Sequence, residues 1–440
     1  MTKNTAPTIL ILTFFLSLAI AGIILLGLPA DYYAGLFLVV VLLALFLGKP
    51  LYFLLFLFFV RALLDNYLFA IRFIIAGIDI GLGGIFSLFL IVGTVLYVLT
   101  HSQNLGRLKH GVVMLSFLFC LMSVGSAMMT VDVTGTIKEL IPRFSIFSVL
   151  IVVLLTIQDE RQARLVLKTI VLSAVVPVLV GFVKYLAEPG RFQGTFSHPN
   201  VTAFYLLIIL GCLAAQVHRE EDKKLSFLDF SYFALLLTAF LLTLTRSAWA
   251  SFCLMGGIYA LFFKRKWIAP AFILLLVLGS IPVVQERVTE IFTIRQGVLT
   301  VSQDTSFGWR LKTWAPLWSA AIQKPILGYG INATARLGLG YEAHNDFLRF
   351  FVESGIIGLI IYFGFYAYTF IHLLKNYKFY NKGSVLGKTA LFLMCFIPAF
   401  ILMSISENLA RYTTIHWYIV GIIGVYFGLY GLSQQNAVSR

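Results

Sequence analysis

Long apolar runs broken by short polar clusters recur from one end of the chain to the other. A helix needs about 20 apolar residues to cross the hydrocarbon core of a bilayer. The pattern predicts about fourteen such helices, at residues 8–27, 33–48, 50–64, 83–100, 110–129, 144–157, 166–186, 199–216, 229–244, 248–263, 267–283, 350–374, 389–405 and 414–432. The third, sixth and tenth are short. Residues 66–82 are apolar but interrupted by Arg72, Asp79 and several glycines, which suits a dip into the membrane better than a crossing, so the expected count is 12–14. The alternating segments of a membrane β-barrel are absent. The expected fold class is an all-α polytopic membrane protein. Its first apolar run exceeds the roughly 7–15-residue core of a signal peptide and reads as a retained helix.

Lysines and arginines set the orientation, because short cytoplasmic loops attract them. With the N-terminus inside, Lys3, Lys49, Arg107, Lys109, Arg161, Arg164, Lys168, Arg219, Lys223, Lys224, the run Lys264–Lys266, Lys375, Lys378, Lys382 and Lys388 all fall inside. The opposite phase sends every one of these clusters outside. Given an even helix count, both termini are thus expected in the cytoplasm, as in an inner-membrane protein. The outward connections are then very short, except for a segment of about 65 residues from Val284 to Phe350. Loops longer than about 12–15 residues are usually functional or disordered. Here Trp309, Trp314, Leu317, Trp318 and Ile322 recur at helical spacing, which predicts amphipathic helices lying against the membrane surface. The chain divides accordingly into N-terminal membrane helices (1–160), core membrane helices (161–283), a long extracytoplasmic loop (284–349) and C-terminal membrane helices (350–440).

Composition agrees with this picture. Charged residues make up 12% of the chain, where a soluble domain carries about 25%, and the mean hydropathy is +0.93. A net charge of +14 would suggest nucleic acid in a soluble domain. The cytoplasmic loops account for much of it, and no nucleic-acid partner is expected. Cys120, Cys212, Cys253 and Cys395 all lie within apolar runs. With no CxxC and no His/Cys cluster, neither a metal site nor a disulfide framework is expected.

Four polar constellations fall on the outer side in this topology. The first is the turn from Arg191 to Asn200, which includes His198 and Pro199. Pro199 suits a first helical position, where its missing N–H costs nothing. Free backbone donors there, with Arg191 and His198 close by, suit an anion; the plain alternative is a turn and a helix cap. The second runs from Thr243 to Trp249 and puts Arg246 almost within the bilayer. A charge at that depth is costly unless it faces the bundle interior with a partner, or unless it snorkels to the interface beside Trp249. Neighbouring Thr245 and Ser247 favour a polar cluster. The third is Gly308–Trp314 with Arg310, which alone reads as an interfacial anchor. The fourth runs from Glu342 through His344, Asn345 and Asp346 to Glu353 and Gly358. Arg349 and Glu353 stand four apart, a spacing at which they would pair with each other.

Arginine keeps its charge and grips phosphate oxygens bidentately, so several together suit a diphosphate. A neutral histidine near them can take a proton from an incoming hydroxyl. The combination fits displacement of a diphosphate leaving group by an alcohol, with arginines holding the developing charge. No Asp-x-Asp pair lies on the outer side, so nothing in the sequence supports a metal-dependent route, and no cofactor is expected.

In their order and their arrangement around one long loop, the turn at 191–200, the helix end at 243–249, the segment 308–314 and the stretch 342–359 resemble the bacterial O-antigen ligase and polymerase superfamily. The likeness is strongest from about Phe182 to Leu359, whereas the first 160 residues match only as generic membrane helices. The resemblance implies a GT-C-like membrane glycosyltransferase that works on the outer leaflet without metal or nucleotide sugar. Its donor would be a glycan on undecaprenyl diphosphate, and its acceptor either a lipid-linked repeat unit or lipid A–core. The bilayer and other polysaccharide-assembly proteins would be its further partners. By the same resemblance His344 takes the place of the base, and Arg191, Arg246 and Arg310 those of diphosphate-binding arginines, with His198, Asn200, Asn345 and Glu353 in support. The His344-Asn345-Asp346 sequence and the His198-Pro199-Asn200 turn put an O-antigen or exopolysaccharide polymerase first and an O-antigen ligase second. A flippase or transporter is the remoter alternative. Transporters are commonly two related halves around a midplane site, and here no repeat is visible and the unusual residues collect at one surface.

Overall fold

The computed structural model describes residues 31–75, 78–130, 132–217, 226–267, 285, 292–295, 298–301, 306–337, 342–381 and 383–438. The expected spans 8–27 and 267–283 (but for its first residue), and the loop residues 219–224, lie outside them. The first membrane helices are α1 (Asp31–Gly48) and α2 (Pro50–Leu63). Residues 66–82 do not cross. They form a short helix α3 (Asp65–Ala70) and a hairpin of β1 (Arg72–Ile75) and β2 (Ile78–Gly81), in which Arg72 pairs with Asp79 at 2.9 Å. Then follow α4 (Leu82–Thr100), α5 (Gly111–Ala127), α6 (Val133–Thr156), α7 (Glu160–Leu172), α8 (Val175–Ala187), α9 (Pro199–Val217), α10 (Phe227–Leu242) and α11 (Arg246–Phe262). A second hairpin, β3 (Phe292–Arg295) with β4 (Val298–Val301), precedes α12 (Ser306–Gln323) and α13 (Ala333–Leu337). The chain closes with α14 (Asp346–Asn376), α15 (Val385–Ser404) and α16 (Thr413–Val438). Among the described residues, seven helical stretches are long and apolar enough to cross a membrane, α7 and α8 together making one of them, and four shorter helices are apolar, which makes this an all-α polytopic membrane protein.

Three boundaries differ from the sequence pattern for local reasons. Helix α6 begins at Val133 rather than 144, because Asp132 caps it by accepting from Gly135 N at 2.8 Å and because its charged residues find partners. The span expected at 166–186 is divided into α7 and α8. Pro177, which lacks an N–H, sits in the first turn of α8, and Ser173 turns its hydroxyl to Ile170 O (2.6 Å) and Tyr205 (2.6 Å) at the break. Helix α14 starts at Asp346, capped by Asn345 Oδ1 accepting from Leu348 N at 3.0 Å.

Burial separates the centre from the rim. The apolar windows of α15 and α16 are 78% buried within the protein, against 28% for α4. Helix α16 packs along α6, α14 along α5, and α11 along α15. The expected amphipathic helices of the long loop appear as α12 and α13, both lying on α14. Leu317 and Ala321 of α12 are buried with Ala333, Ala343, Leu348 and Val352, while Trp318 and Ile322 are exposed. Near its start α14 is broken at Gly355, whose φ of 62° lies in the left-handed region. The segment after α12 enters that break: Tyr329 N donates to Val352 O (2.8 Å), Gly330 N to Glu353 O (3.0 Å), and Ile356 N to Pro325 O (2.8 Å). The loop is thus bonded into the helix backbone.

Candidate functional site

Three non-glycine residues have left-handed backbones among the described residues: Leu244, Asn332 and His344. Such conformations cost free energy and persist where the surroundings enforce them, commonly at functional sites. For His344 both neighbours are pinned. Ala343 O accepts from Trp314 Nε1 of α12 at 2.6 Å, and Asn345 N donates to Asn408 Oδ1 at 3.0 Å. Between them the His344 side chain swings out, 34% exposed, with its Nδ1 2.5 Å from Glu407 Oε1. Trp309 meets the imidazole edge-on, with ring centroids 5.5 Å apart.

Glu407 lies in the turn between α15 and α16 and is buried. Its Oε2 accepts from Asn200 Nδ2 at 2.7 Å. Asn200 Oδ1 in turn accepts from Arg191 Nη2 (2.7 Å) and Thr245 Oγ1 (3.3 Å). Arg191 also donates from Nε to Thr243 O at 2.9 Å and from Nη2 to Thr245 Oγ1 at 3.0 Å. The strained Leu244 lies inside that contact, so the turn at 191–200 and the turn between α10 and α11 hold each other. A continuous chain of bonds therefore runs from Arg191 through Asn200 and Glu407 to His344.

Arg246 is the first residue of α11 and Arg310 lies in the first turns of α12; both are partly buried. Burial lowers the Arg310 pKa from its ordinary value; Glu407 opposes this and nearby Arg246 adds to it. For Glu407, burial pushes the carboxyl up, but the His344 hydrogen bond and charge, the Asn200 amide and Arg310 outweigh it and hold the group below its usual range. His198 accepts from Asn200 N at 3.1 Å, and burial with Arg191 close by pushes its imidazole down. Of the residues singled out in the sequence, Arg191, Asn200 and His344 are linked by hydrogen bonds through Glu407, and Arg246 and Arg310 couple to each other by charge.

Glu353 belongs elsewhere. It is buried in an ion network, 3.3 Å from Arg349 Nε and 3.7 Å from Arg143 Nη2, with Thr334 Oγ1 on its other oxygen at 2.7 Å. Glu139 joins Arg349 (2.6 Å) and Arg411 (3.0 Å), and Arg411 also holds Glu342. The i,i+4 pairing of Arg349 with Glu353 is therefore what the structure contains. Asn345 caps α14, and its backbone, rather than its side chain, reaches Asn408. Sequence analysis missed Glu407, Asn408, Glu139, Arg143 and Arg411. One signal was available: Ser406-Glu407-Asn408 is a polar triplet in a short connection between two apolar spans, on the same expected side as His344.

Between α12 and α14 lies an apolar groove of about 820 Å³, lined by Trp314, Trp318, Asn345, Phe347, Phe351 and Leu359 among others.

A helical membrane bundle with a polar site under a loop bonded to its outer helices is the class that fold and geometry define. Residues 231–363, from α10 into α14, match the family model described as O-antigen ligase. The chain is 24% identical to an O-antigen ligase of Salmonella typhimurium over 54% of its own length and 64% of that protein's. It is 27% identical to a ComP-specific O-oligosaccharyltransferase of Acinetobacter baylyi over 51% of its length and 42% of that protein's. The chain thus spans less than two thirds of either relative, and the resemblance to the O-antigen ligase superfamily is borne out over residues 231–363, which carry Arg246, Arg310 and His344, whereas Arg191, Asn200 and Glu407 lie outside that match. These matches weigh for ligase-type transfer over the polymerase activity that the His344-Asn345-Asp346 sequence put first.

Proposed function

We propose that this protein is a ligase-type glycosyltransferase of the inner membrane that moves a glycan from a polyprenyl-diphosphate carrier to an acceptor hydroxyl on the extracytoplasmic face. The observation that carries it is the partly exposed His344 joined through Glu407 and Asn200 to Arg191, with Arg310 and Arg246 coupled by charge alongside. Arg191, Arg246 and Arg310 hold the diphosphate, whose charge grows as the anomeric C–O bond breaks. His344 takes the proton of the acceptor hydroxyl as its oxygen bonds to the anomeric carbon. The groove between α12 and α14, with Asn345 in its lining, offers apolar walls to the isoprenoid chain. The distribution of Lys and Arg supports the outward orientation.

The test is reconstitution of the purified chain with a synthetic undecaprenyl-diphosphate oligosaccharide and three acceptors offered separately: lipid A–core, a second lipid-linked repeat, and a ComP-type acceptor. Glycan transferred to lipid A–core is the expected product. Extension of the lipid-linked repeat alone would restore the polymerase. Movement of the donor between leaflets with no new glycosidic bond would overturn the glycosyltransferase altogether.

A further inference from the structure

We propose that Glu407 is the positioning residue for His344, fixing the imidazole in the tautomer that carries its proton on Nδ1 and leaves the Nε2 lone pair facing the acceptor. This rests on the glycosyl-transfer reading above and adds to it the residue that makes the histidine a base.

The argument is one of donors and acceptors. Glu407 Oε2 accepts from Asn200 Nδ2 at 2.7 Å, and Oε1 accepts from Asn408 N at 3.3 Å as well as lying 2.5 Å from His344 Nδ1. A carboxylate so surrounded by N–H groups only accepts, so the ring atom beside it donates. A neutral imidazole has one N–H, and with that proton on Nδ1, Nε2 is the acceptor. The carboxylate is buried and the ring is 34% exposed, so the bonded edge points inward and the free edge outward. Trp309, edge-on to the ring, restrains rotation about its axis. The carboxyl is held ionised by His344, Asn200 and Arg310 against the push of burial, as an acceptor in this role needs to be.

During transfer the acceptor O–H proton passes to Nε2, the oxygen pair forms the bond to the anomeric carbon, and the C–O bond to phosphate breaks with its electrons leaving on the diphosphate. The ring then carries a full positive charge, directly against the Glu407 carboxylate. The same carboxylate thereby both aims the base and stabilises its protonated form, the role an orienting carboxylate plays behind a catalytic histidine. The bond to Asn200 extends this to Arg191, so the proton-accepting and diphosphate-gripping parts share one buried anchor.

Two measurements test it on the full chain in nanodiscs. The first is single-turnover transfer by Glu407→Gln, Glu407→Asp and His344→Ala. Glu407→Gln is expected to lower the transfer rate by about a hundredfold or more, with donor KM within about twofold because the arginines still grip. Glu407→Asp is expected to recover part of the rate, since it keeps the charge. The second needs no change at Glu407: ¹⁵N magic-angle-spinning NMR of ¹⁵N-histidine-labelled protein at about pH 8, where an ordinary histidine is neutral, with the His344 signals identified by their loss in His344→Ala. Protonated Nδ1 and bare Nε2 are expected. A bare Nδ1, or full activity in a folded Glu407→Gln protein while His344→Ala is inactive, would overturn the positioning role and leave the glycosyl-transfer reading standing. Full activity in His344→Ala would remove that reading itself.

Discussion

Arg246 opens α11 and lies close enough to Arg310 for the two charges to repel. Two cations are brought together at a cost that a bound dianion would offset. Replacing Arg246 with alanine is expected to cost about 3 kcal/mol of transition-state stabilisation, roughly a hundredfold in rate. Arg246→Lys is expected to fail almost as badly, because lysine lacks the planar fork. Initial rates with the reconstituted donor decide this, and near-normal turnover in Arg246→Lys would reduce the residue to an interfacial anchor. His198→Ala is expected to lose less than His344→Ala, since His198 accepts from the start of α9 and has no bond to Glu407 among those seen. Glu353 belongs to stability instead of chemistry. Glu353→Gln leaves buried Arg349 and Arg143 short of charge and is expected to destabilise by about 3 kcal/mol, read as a lower melting temperature in detergent with the rate per folded molecule preserved. Glu407 adds a pH dependence of known sign. Its folded carboxyl titrates below its ordinary range, so the stability it contributes is fully present above the unfolded value of about 4.3 and is lost as pH falls through the lower folded value. Melting curves are expected to fall in acid below about pH 4, and Glu407→Gln to blunt that fall.

At the scale of elements, the break in α14 is what receives the segment after α12. A Cβ on Gly355 would sit 2.1 Å from Ile326 O, and the residue has φ 62°. Gly355→Ala is therefore expected to cost more than about 2 kcal/mol and to release segment 325–330 from the helix. Faster proteolysis between α12 and α13 would report that release; an unchanged melting temperature would contradict it. The apolar runs made most helices legible in the sequence, because burying backbone in a bilayer leaves a helix little alternative. What they concealed were the ends. Helix α6 extends eleven residues beyond its expected apolar stretch, because Glu139 and Arg143 are satisfied by Arg349, Arg411 and Glu353, residues more than two hundred positions away. No local pattern encodes such a partnership. The same holds for the site: Arg191 and His344 were legible as unusual residues, whereas Glu407, one member of a short polar triplet, shows its partners only when the turn after α15 is folded between them.

For the whole molecule, orientation is the property on which the proposed chemistry depends. Single cysteines at Pro189 and Ser319 are expected to react with a membrane-impermeant maleimide added outside, and those at Lys109 and Lys378 only after permeabilisation. The lysine and arginine clusters motivate this, and inverted labelling would place the candidate site in the cytoplasm, away from any outer-leaflet acceptor. All four positions are exposed on the protein, so the readout reports side rather than burial.

The insertion of segment 325–330 into α14 also fixes how this protein can be recombined with its relatives. Cutting at the apparent start of the helix, residue 346, would sever Tyr329 from Val352 and Gly330 from Glu353 and leave four backbone groups unpaired. The natural seam lies beyond Gly355. A chimera that exchanges 306–356 as one cassette carries both sides of that junction with it, whereas a swap ending at 345 would deliver the loop without its socket.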